Sequence, residues 1–329
     1  MPPILEVNNL VKKFAERTAV NGVSFTVDEG EVFGLLGPNG AGKTTTISML
    51  TGVLVPTSGT AKIGGFDILQ DSLKVKNMIG LVPQDLALYP TLSARANLNF
   101  FGSIYGLKGK ELKERVDDVL RIVALTDRAN QVIEKYSGGM KRRVNIAAGL
   151  VHQPRLLFLD EPTVGVDPQS RNQIFESVLQ LNRQRSMSII YTSHYMEEVE
   201  LLCNRVAIID EGRIIAMDTI KNLVAMLGGG IIQIGLKQAD DELISQLGKL
   251  PAVKNAFLVQ AAQDGKEKTG EEPAVESKLV KIEALNSQQA IVNVFGLLNE
   301  RDIPITSLDI LEPNLESVFL HLTGKKLRE

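Results

Sequence analysis

The run GPNGAGKTT, Gly37 to Thr45, constrains this chain more than any other segment. It fits the phosphate-loop pattern G-x-x-x-x-G-K-[ST] and lies where such a loop must lie, between an apolar strand at Val32–Leu36 and a helix that opens near Lys43. The loop turns backbone N–H groups toward an anion, and glycines at 37, 40 and 42 let phosphate oxygens approach without Cβ obstruction. Pro38, Asn39, Ala41 and Thr45 complete the cradle, Lys43 adds a point charge, and Thr44 offers a hydroxyl to Mg²⁺. The helix then directs the positive end of its dipole at the same place. A nucleoside triphosphate is the expected ligand.

Composition sets the surroundings. A chain of 329 residues suits two domains, and 44% hydrophobic content fills a core in each. A net charge of −3 gives no general attraction to nucleic acid, and none is expected as a partner. The single cysteine, Cys203, precludes an intramolecular disulfide and suits a reducing compartment. Charged residues interrupt the start, so no secretory signal is expected, and no apolar run approaches the roughly 18 residues of a spanning helix. Any membrane role then has to pass through another chain.

From Leu5 to about Gly228, strand-like apolar runs alternate with helical patterns, which predicts an α/β domain over 1–228 with a parallel sheet flanked by helices. The turn-rich stretch PTSGTAKIGG reads as a small antiparallel edge. Between Leu86 and Lys135 the strand signal vanishes, and the spacing of Val116, Val119, Leu120 and Val123 predicts helices, so a helical subdomain is expected over about 86–153. Residues 229–329 read as a second, α+β domain. Strands at Ile231–Leu236, Val253–Gln260, Leu279–Ala284 and Ile305–Ile310, with helices at Asp240–Leu247 and Gln288–Asn299, give the ferredoxin-like order β-α-β-β-α-β. Ala262–Ser277, rich in Gly, Lys and Glu, is expected to be a mobile hairpin loop, and a helix follows Pro313.

Within the first domain, LLFLDEP at 156–162 is an apolar strand ending in two carboxylates. At a strand's C-terminal end Asp160 can face a metal while Glu161 reaches an attacking water. With Lys43 and Thr44 these groups predict Mg²⁺-dependent hydrolysis of ATP. Some twenty residues upstream, in YSGGMKRR, Ser137 is placed to cap a helix, with Gly138 and Gly139 leaving its N–H groups accessible to an anion.

On these segments the chain, over residues 4 to about 225, resembles the ATP-binding cassette family, a branch of the P-loop NTPases whose signature is LSGGQ. Tyr136 and Met140 depart from that signature, and Met140 lacks the hydrogen-bonding amide of the family's glutamine. The resemblance implies that Phe14 stacks on adenine, that Gln84 reaches Mg²⁺, that Asp167 lies in a loop at a dimer interface, and that His194 contacts the γ-phosphate and orients water. It further implies a sandwich of two copies, or of this chain with a paired subunit. ATP would lie between residues 37–45 of one cassette and Ser137–Gly139 of the other, and Glu161 would activate water.

YSGGMKRR, TSHYMEEVE and the closing EPNLESVFLHLTG look most like the ATPases of drug-resistance and ABC-2 exporters. That likeness implies a cytoplasmic subunit held peripherally at the inner face of the membrane by a separate transmembrane permease. A soluble cassette ATPase that remodels nucleic acid or ribosomes is the other expectation. Against it, the chain has neither tandem cassettes nor the long coiled coil or zinc site of DNA-repair members.

Overall fold

Two units divide the chain, one running through Ile220 and the other beginning at Lys221. The structure is a computed structural model that describes residues 3–259, 278–311 and 313–323.

In the first unit, β1 (Leu5–Phe14) and β2 (Arg17–Val27) form an antiparallel hairpin. A central strand, β3 (Val32–Leu36), leads into α1 (Lys43–Leu50), after which β4 (Ser58–Ile63) and β5 (Phe66–Asp67) add to β1. The resulting sheet has the order β2-β1-β4-β5. Next come α2 (Ser72–Met78), β6 (Ile79–Val82), α3 (Ala94–Ile104), α4 (Gly109–Ile122) and α5 (Gly138–Leu150). The unit closes with β7 (Leu156–Asp160), α6 (Pro168–Arg185), β8 (Ser188–Ser193), α7 (Met196–Leu202), β9 (Arg205–Asp210) and β10 (Arg213–Thr219).

The second sheet has the order β10-β9-β3-β8-β7-β6, parallel throughout except for the antiparallel edge strand β10. Three of its four inner strands read VFGLL, LLFLD and SIIYTS, and every residue in those three is buried. Continuous burial, rather than alternation, is what a parallel sheet covered on both faces requires. One core joins the two sheets, with Ile47 and Leu50 of α1 packed among Val7, Val23 and Phe25 of the first and Phe33, Leu35 and Phe158 of the second. Phe25 and Phe33 stack with ring centroids 5.2 Å apart.

The predicted helical stretch holds α3, α4 and α5. On α4, Val116, Val119 and Leu120 are buried, as their spacing predicts. Three features differ from the sequence expectation. The chain opens with an antiparallel hairpin, β6 is a strand just before the helical stretch, and the first helix, expected over Thr44–Leu54, ends at Leu50 with Thr51 as its C-cap.

The second unit begins within the short helix α8 (Ile220–Ala225). It continues through β11 (Ile231–Leu236), α9 (Asp241–Leu247), β12 (Val253–Val259), β13 (Lys278–Ala284), α10 (Ser287–Glu300), β14 (Ile305–Leu311) and α11 (Leu315–Thr323). The antiparallel order β12-β13-β11-β14 is that of a ferredoxin-like sandwich, with α9 and α10 covering Ile232, Ile234, Val280 and Ile282. The break falls at 220/221, eight residues before the expected 228/229. Gly228 to Gly230 belong to this unit: Gly229 N donates to Ala284 O, and a Cβ on Gly229 would collide with Asn286. The loop expected at Ala262–Ser277 lies outside the described residues.

Candidate functional site

Parallel pairing aligns the C-terminal ends of three neighbouring strands. Leu36 of β3 lies opposite Ser193 of β8, and Thr192 of β8 lies opposite Asp160 of β7. The chain leaves these ends as the phosphate loop, as His194 and as Glu161, so groups more than a hundred residues apart meet at one sheet edge.

The loop's shape follows from its residues. Gly42, the N-cap of α1, has φ of 108°, where a side chain would be strained, and Ala19 O fills the space a Cβ would need. No side chain caps α1, which leaves its first N–H groups available to an anion. Lys43 is 4% exposed, and its ammonium donates to Gly37 O at 2.8 Å and Pro38 O at 3.1 Å. The same Nζ stands 3.0 Å from Glu161 Oε1.

Asp160 and Glu161 are held by a residue the sequence did not single out. Thr192 Oγ1 donates to Asp160 Oδ1 at 2.8 Å and accepts from Glu161 N at 2.9 Å. Thr44 Oγ1 donates to the same Asp160 oxygen at 3.2 Å. Burial pushes the Asp160 carboxyl above its usual range, against the lowering effect of these two hydroxyls. Glu161 is 5% exposed and adopts φ of 45°, a strained backbone for a non-glycine residue of the kind found at functional sites. Its second oxygen lies 3.3 Å from His194 Nδ1, close enough for an ion pair but without hydrogen-bond geometry.

A cleft of about 650 Å³ opens over this edge. Phe14, Asn39, Gly40, Gly42, Lys43, Thr44, Thr45, Gln84, Glu161 and His194 line it, together with Arg17, Ala19 and Val164. Phe14 ends β1 and is 45% exposed, its ring carrying the Lys12 ammonium 5.1 Å from the centroid and available in part to a flat heterocycle. Gly37, Pro38 and Ala41 shape the turn beneath, and Asp160 sits behind Thr44. Arg17 is a further residue not expected from sequence, its guanidinium donating to Gly40 O at 3.2 Å. Gln84 is placed by another, because Arg142 donates to Pro83 O at 2.9 Å and Gln84 O at 2.6 Å. Thr44 and Gln84 both line the cleft and Asp160 bonds to Thr44; their hydroxyl, amide and carboxylate are hard oxygen donors of the kind Mg²⁺ takes. A dication would also offset the cost of ionising buried Asp160.

Ser137, Gly138, Gly139 and Asp167 do not join this cleft. Ser137 Oγ caps α5 by accepting from Met140 N at 3.3 Å, and Asp167 caps α6 by accepting from Ser170 N at 2.9 Å. The two caps lie together, since a Cβ on Gly139 would run into the Ser170 side chain and approach Asp167. Ser137 and Gly138 face solvent. The predicted residues therefore form two clusters on one chain, a phosphate cleft and a separate exposed helix cap.

Comparison with known proteins agrees with this geometry. The profile of the ABC transporter family matches residues 20–164. The chain is 45% identical over 327 residues to the linearmycin resistance ATP-binding protein LnrL of Bacillus subtilis (strain 168), covering 99% of this chain and 100% of that one. It is 34% identical over 328 residues to the Nod factor export ATP-binding protein I of Ralstonia nicotianae, covering 99% and 96%. Among solved structures, cbiO1 of Clostridium perfringens, part of the ABC transporter complex cbiONQ, superimposes with a TM-score of 0.63 at 28% identity over 75% of this chain and 95% of that one. A dimeric ATP-binding cassette in a post-hydrolysis state bound to ADP and Pi gives 0.60 at 25% identity over 65% and 98%.

The fold and the cleft define a P-loop ATPase of the cassette type. The chain belongs to the ABC transporter family, as an ATP-binding subunit that hydrolyses ATP in support of transport.

Proposed function

We propose that this chain powers an exporter. Two cassettes close on ATP, and a separate transmembrane permease carries the resulting motion across the membrane. The observation that carries this reading is the split between the two clusters. The cleft supplies Lys43, Thr44, Glu161 and His194 but leaves one side open, while Ser137 and Gly138 present an uncovered helix N-terminus elsewhere. Each cluster offers what the other lacks, so a second cassette placed against the first would surround the triphosphate with positive dipoles and charge.

In such a site Phe14 stacks on adenine, the loop N–H groups of residues 37–45 bind the phosphates, and Lys43 holds the β- and γ-oxygens. Thr44, Asp160 and Gln84 would hold Mg²⁺, which neutralises charge on the transferring phosphoryl group. Glu161 takes a proton from water as its oxygen attacks the γ-phosphorus, the bond to the β–γ bridging oxygen breaks, and ADP leaves. His194, beside Glu161, orients that water and faces the γ-phosphate. Asp167, at the start of α6 beside Gly139, belongs to the surface that meets the second cassette.

Export rather than import is supported by the full-length similarity to a protein named for resistance and to one named for export. Among the described residues no helix is long and apolar enough to cross a membrane, in keeping with attachment through a partner at the inner face. Purification of the tagged chain from detergent-solubilised membranes tests this. A multi-span membrane protein should co-purify, and the complex should hydrolyse ATP unless Glu161 is replaced by Gln. Recovery of the chain only from the soluble fraction, with nucleic acid bound, would overturn it.

A further inference from the structure

We propose that Glu198 is a positioning residue that fixes Glu161 and His194 relative to each other and ties both to α6 through Arg171. The inference rests on the roles assigned above to Glu161 and His194. Glu198 lies on α7, is 3% exposed, and does not line the cleft. Burying a carboxylate away from water costs several kcal/mol unless hydrogen bonds replace its hydration. Here the replacements are specific. Glu198 Oε2 accepts from the hydroxyls of Thr163, Tyr191 and Ser193, each at 2.9 Å.

Those donors mark the segments that carry the chemistry. Thr163 stands two residues beyond Glu161, and Ser193 immediately precedes His194. Ser193 Oγ also accepts from Tyr195 N at 2.9 Å, which fixes the backbone on the far side of His194. Tyr191 is a lasting donor, because burial, followed by the negative charge of Glu198, drives its hydroxyl well above the usual range and keeps it protonated. One carboxylate oxygen thus joins the exit of β7 to the exit of β8, and His194 Nδ1 and Glu161 Oε2 sit 3.3 Å apart across that junction.

The other oxygen points to α6. Glu198 Oε1 lies 3.7 Å from Arg171 Nε, and neither atom has a hydrogen-bond partner. The Arg171 guanidinium also lies 5.2 Å from the centre of the Tyr195 ring, so it touches the His194 segment directly. Arg171 is one turn into the helix that Asp167 caps, next to the Ser170 contact with Gly139. A shift of α6 is thereby transmitted to Glu198, and from there to both groups that handle the attacking water.

Steady-state ATP hydrolysis by the full chain tests the proposal with four variants. Glu198→Gln keeps the shape but removes the charge and part of the accepting capacity. Its kcat should fall by about tenfold to a hundredfold, as misplacement of a reacting group does, while half-saturating ATP changes by less than about twofold. Thr163→Val should show the same split in smaller degree, and Thr163→Ser, which keeps the hydroxyl, should stay near wild type. An unchanged kcat in Glu198→Gln would overturn the assignment, as would equal loss of kcat and ATP affinity. If Glu198→Gln does not fold, the Thr163 pair decides: indistinguishable Val and Ser variants would reject the proposal. Glu161→Gln separates the two levels, because undiminished hydrolysis in that variant would reject the underlying site instead.

Discussion

The Lys43 ammonium lies 3.0 Å from Glu161 Oε1, a buried ion pair between the phosphate loop and the end of β7. In the proposed site one cation would therefore serve two anions, the γ-phosphate of ATP competing for the charge that also holds Glu161. Removing Lys43 alone leaves a carboxylate buried without its partner, which typically costs about 3–5 kcal/mol. Lys43→Ala should lose ATP binding and also unfold at lower denaturant. Adding Glu161→Gln should recover part of that stability without restoring ATP binding, with a coupling of roughly 0.5–3 kcal/mol. Urea unfolding of the two single variants and the double variant measures it, and additive losses would show that the pair is not coupled.

Asp160 gives a prediction in pH. Burial raises its carboxyl above the ordinary value of 3.8, so the unfolded chain releases this proton at lower pH than the folded one. Between those two values the folded state binds more protons, and this group's contribution to stability falls as pH rises; above both, the cost is constant. Asp160→Asn escapes that cost. With Mg²⁺ chelated, its melting temperature relative to wild type should climb from below pH 4 toward pH 7. A difference independent of pH would contradict the burial account. With Mg²⁺ and ATP present the order should reverse, because only wild type keeps the carboxylate proposed to hold the metal.

Much of the site is readable in the sequence because its parts are short local patterns. The phosphate loop, the strand ending in Asp160 and Glu161, and the Ser137 cap each lie within ten residues. The second unit is readable for a similar reason, since its strands alternate and its helices carry regular apolar spacing. Thr192 and Arg142 escape because their partners are distant in sequence, and Glu198 because Thr163, the partner that ties it to the Glu161 segment, is brought near only by the fold. A threonine in SIIYTS has no local mark that distinguishes it from any other strand residue. The β1–β2 hairpin escapes because its turn places Ala15, rather than Gly or Asn, at φ of 44°. Gly228 to Gly230 mislead in the opposite way: they mark a change of composition, yet they pack closely against Ala284, Asn286 and Leu311 inside the second unit.

Arg142 should control the metal more than the nucleotide. Its guanidinium bridges Pro83 O and Gln84 O, and although burial lowers its pKa, an arginine stays charged. Arg142→Met removes two charged hydrogen bonds, at roughly 1.5–3 kcal/mol each, leaves Pro83 O with only the 3.4 Å contact from Asn145 Nδ2, and loosens the segment that presents Gln84. The Mg²⁺ concentration giving half-maximal hydrolysis should rise several-fold while equilibrium binding of ATP changes little. Lysine cannot reproduce the two-pronged contact and should not rescue. An unchanged Mg²⁺ requirement would disconnect Gln84 from the metal.

The Glu161 variant bears on closure. Glu161→Gln should bind ATP yet lose hydrolysis by about a hundredfold or more, since it removes the proposed general base. It also removes a negative charge that would face the γ-phosphate, so ATP should accumulate in the closed pair rather than turn over. Rapid filtration with labelled ATP would find retained nucleotide, and turnover at the wild-type rate would sink the assignment.

Light scattering coupled to size-exclusion chromatography of Glu161→Gln, with ATP and Mg²⁺, tests most directly whether Ser137 of one copy completes the cleft of another. The predicted result is a particle of twice the 35.9 kDa chain mass that reverts to one chain without nucleotide or when Ser137→Arg is added to the same protein. A single-chain mass with ATP fully bound, or a dimer that persists after Ser137→Arg, would contradict a site shared between two cassettes.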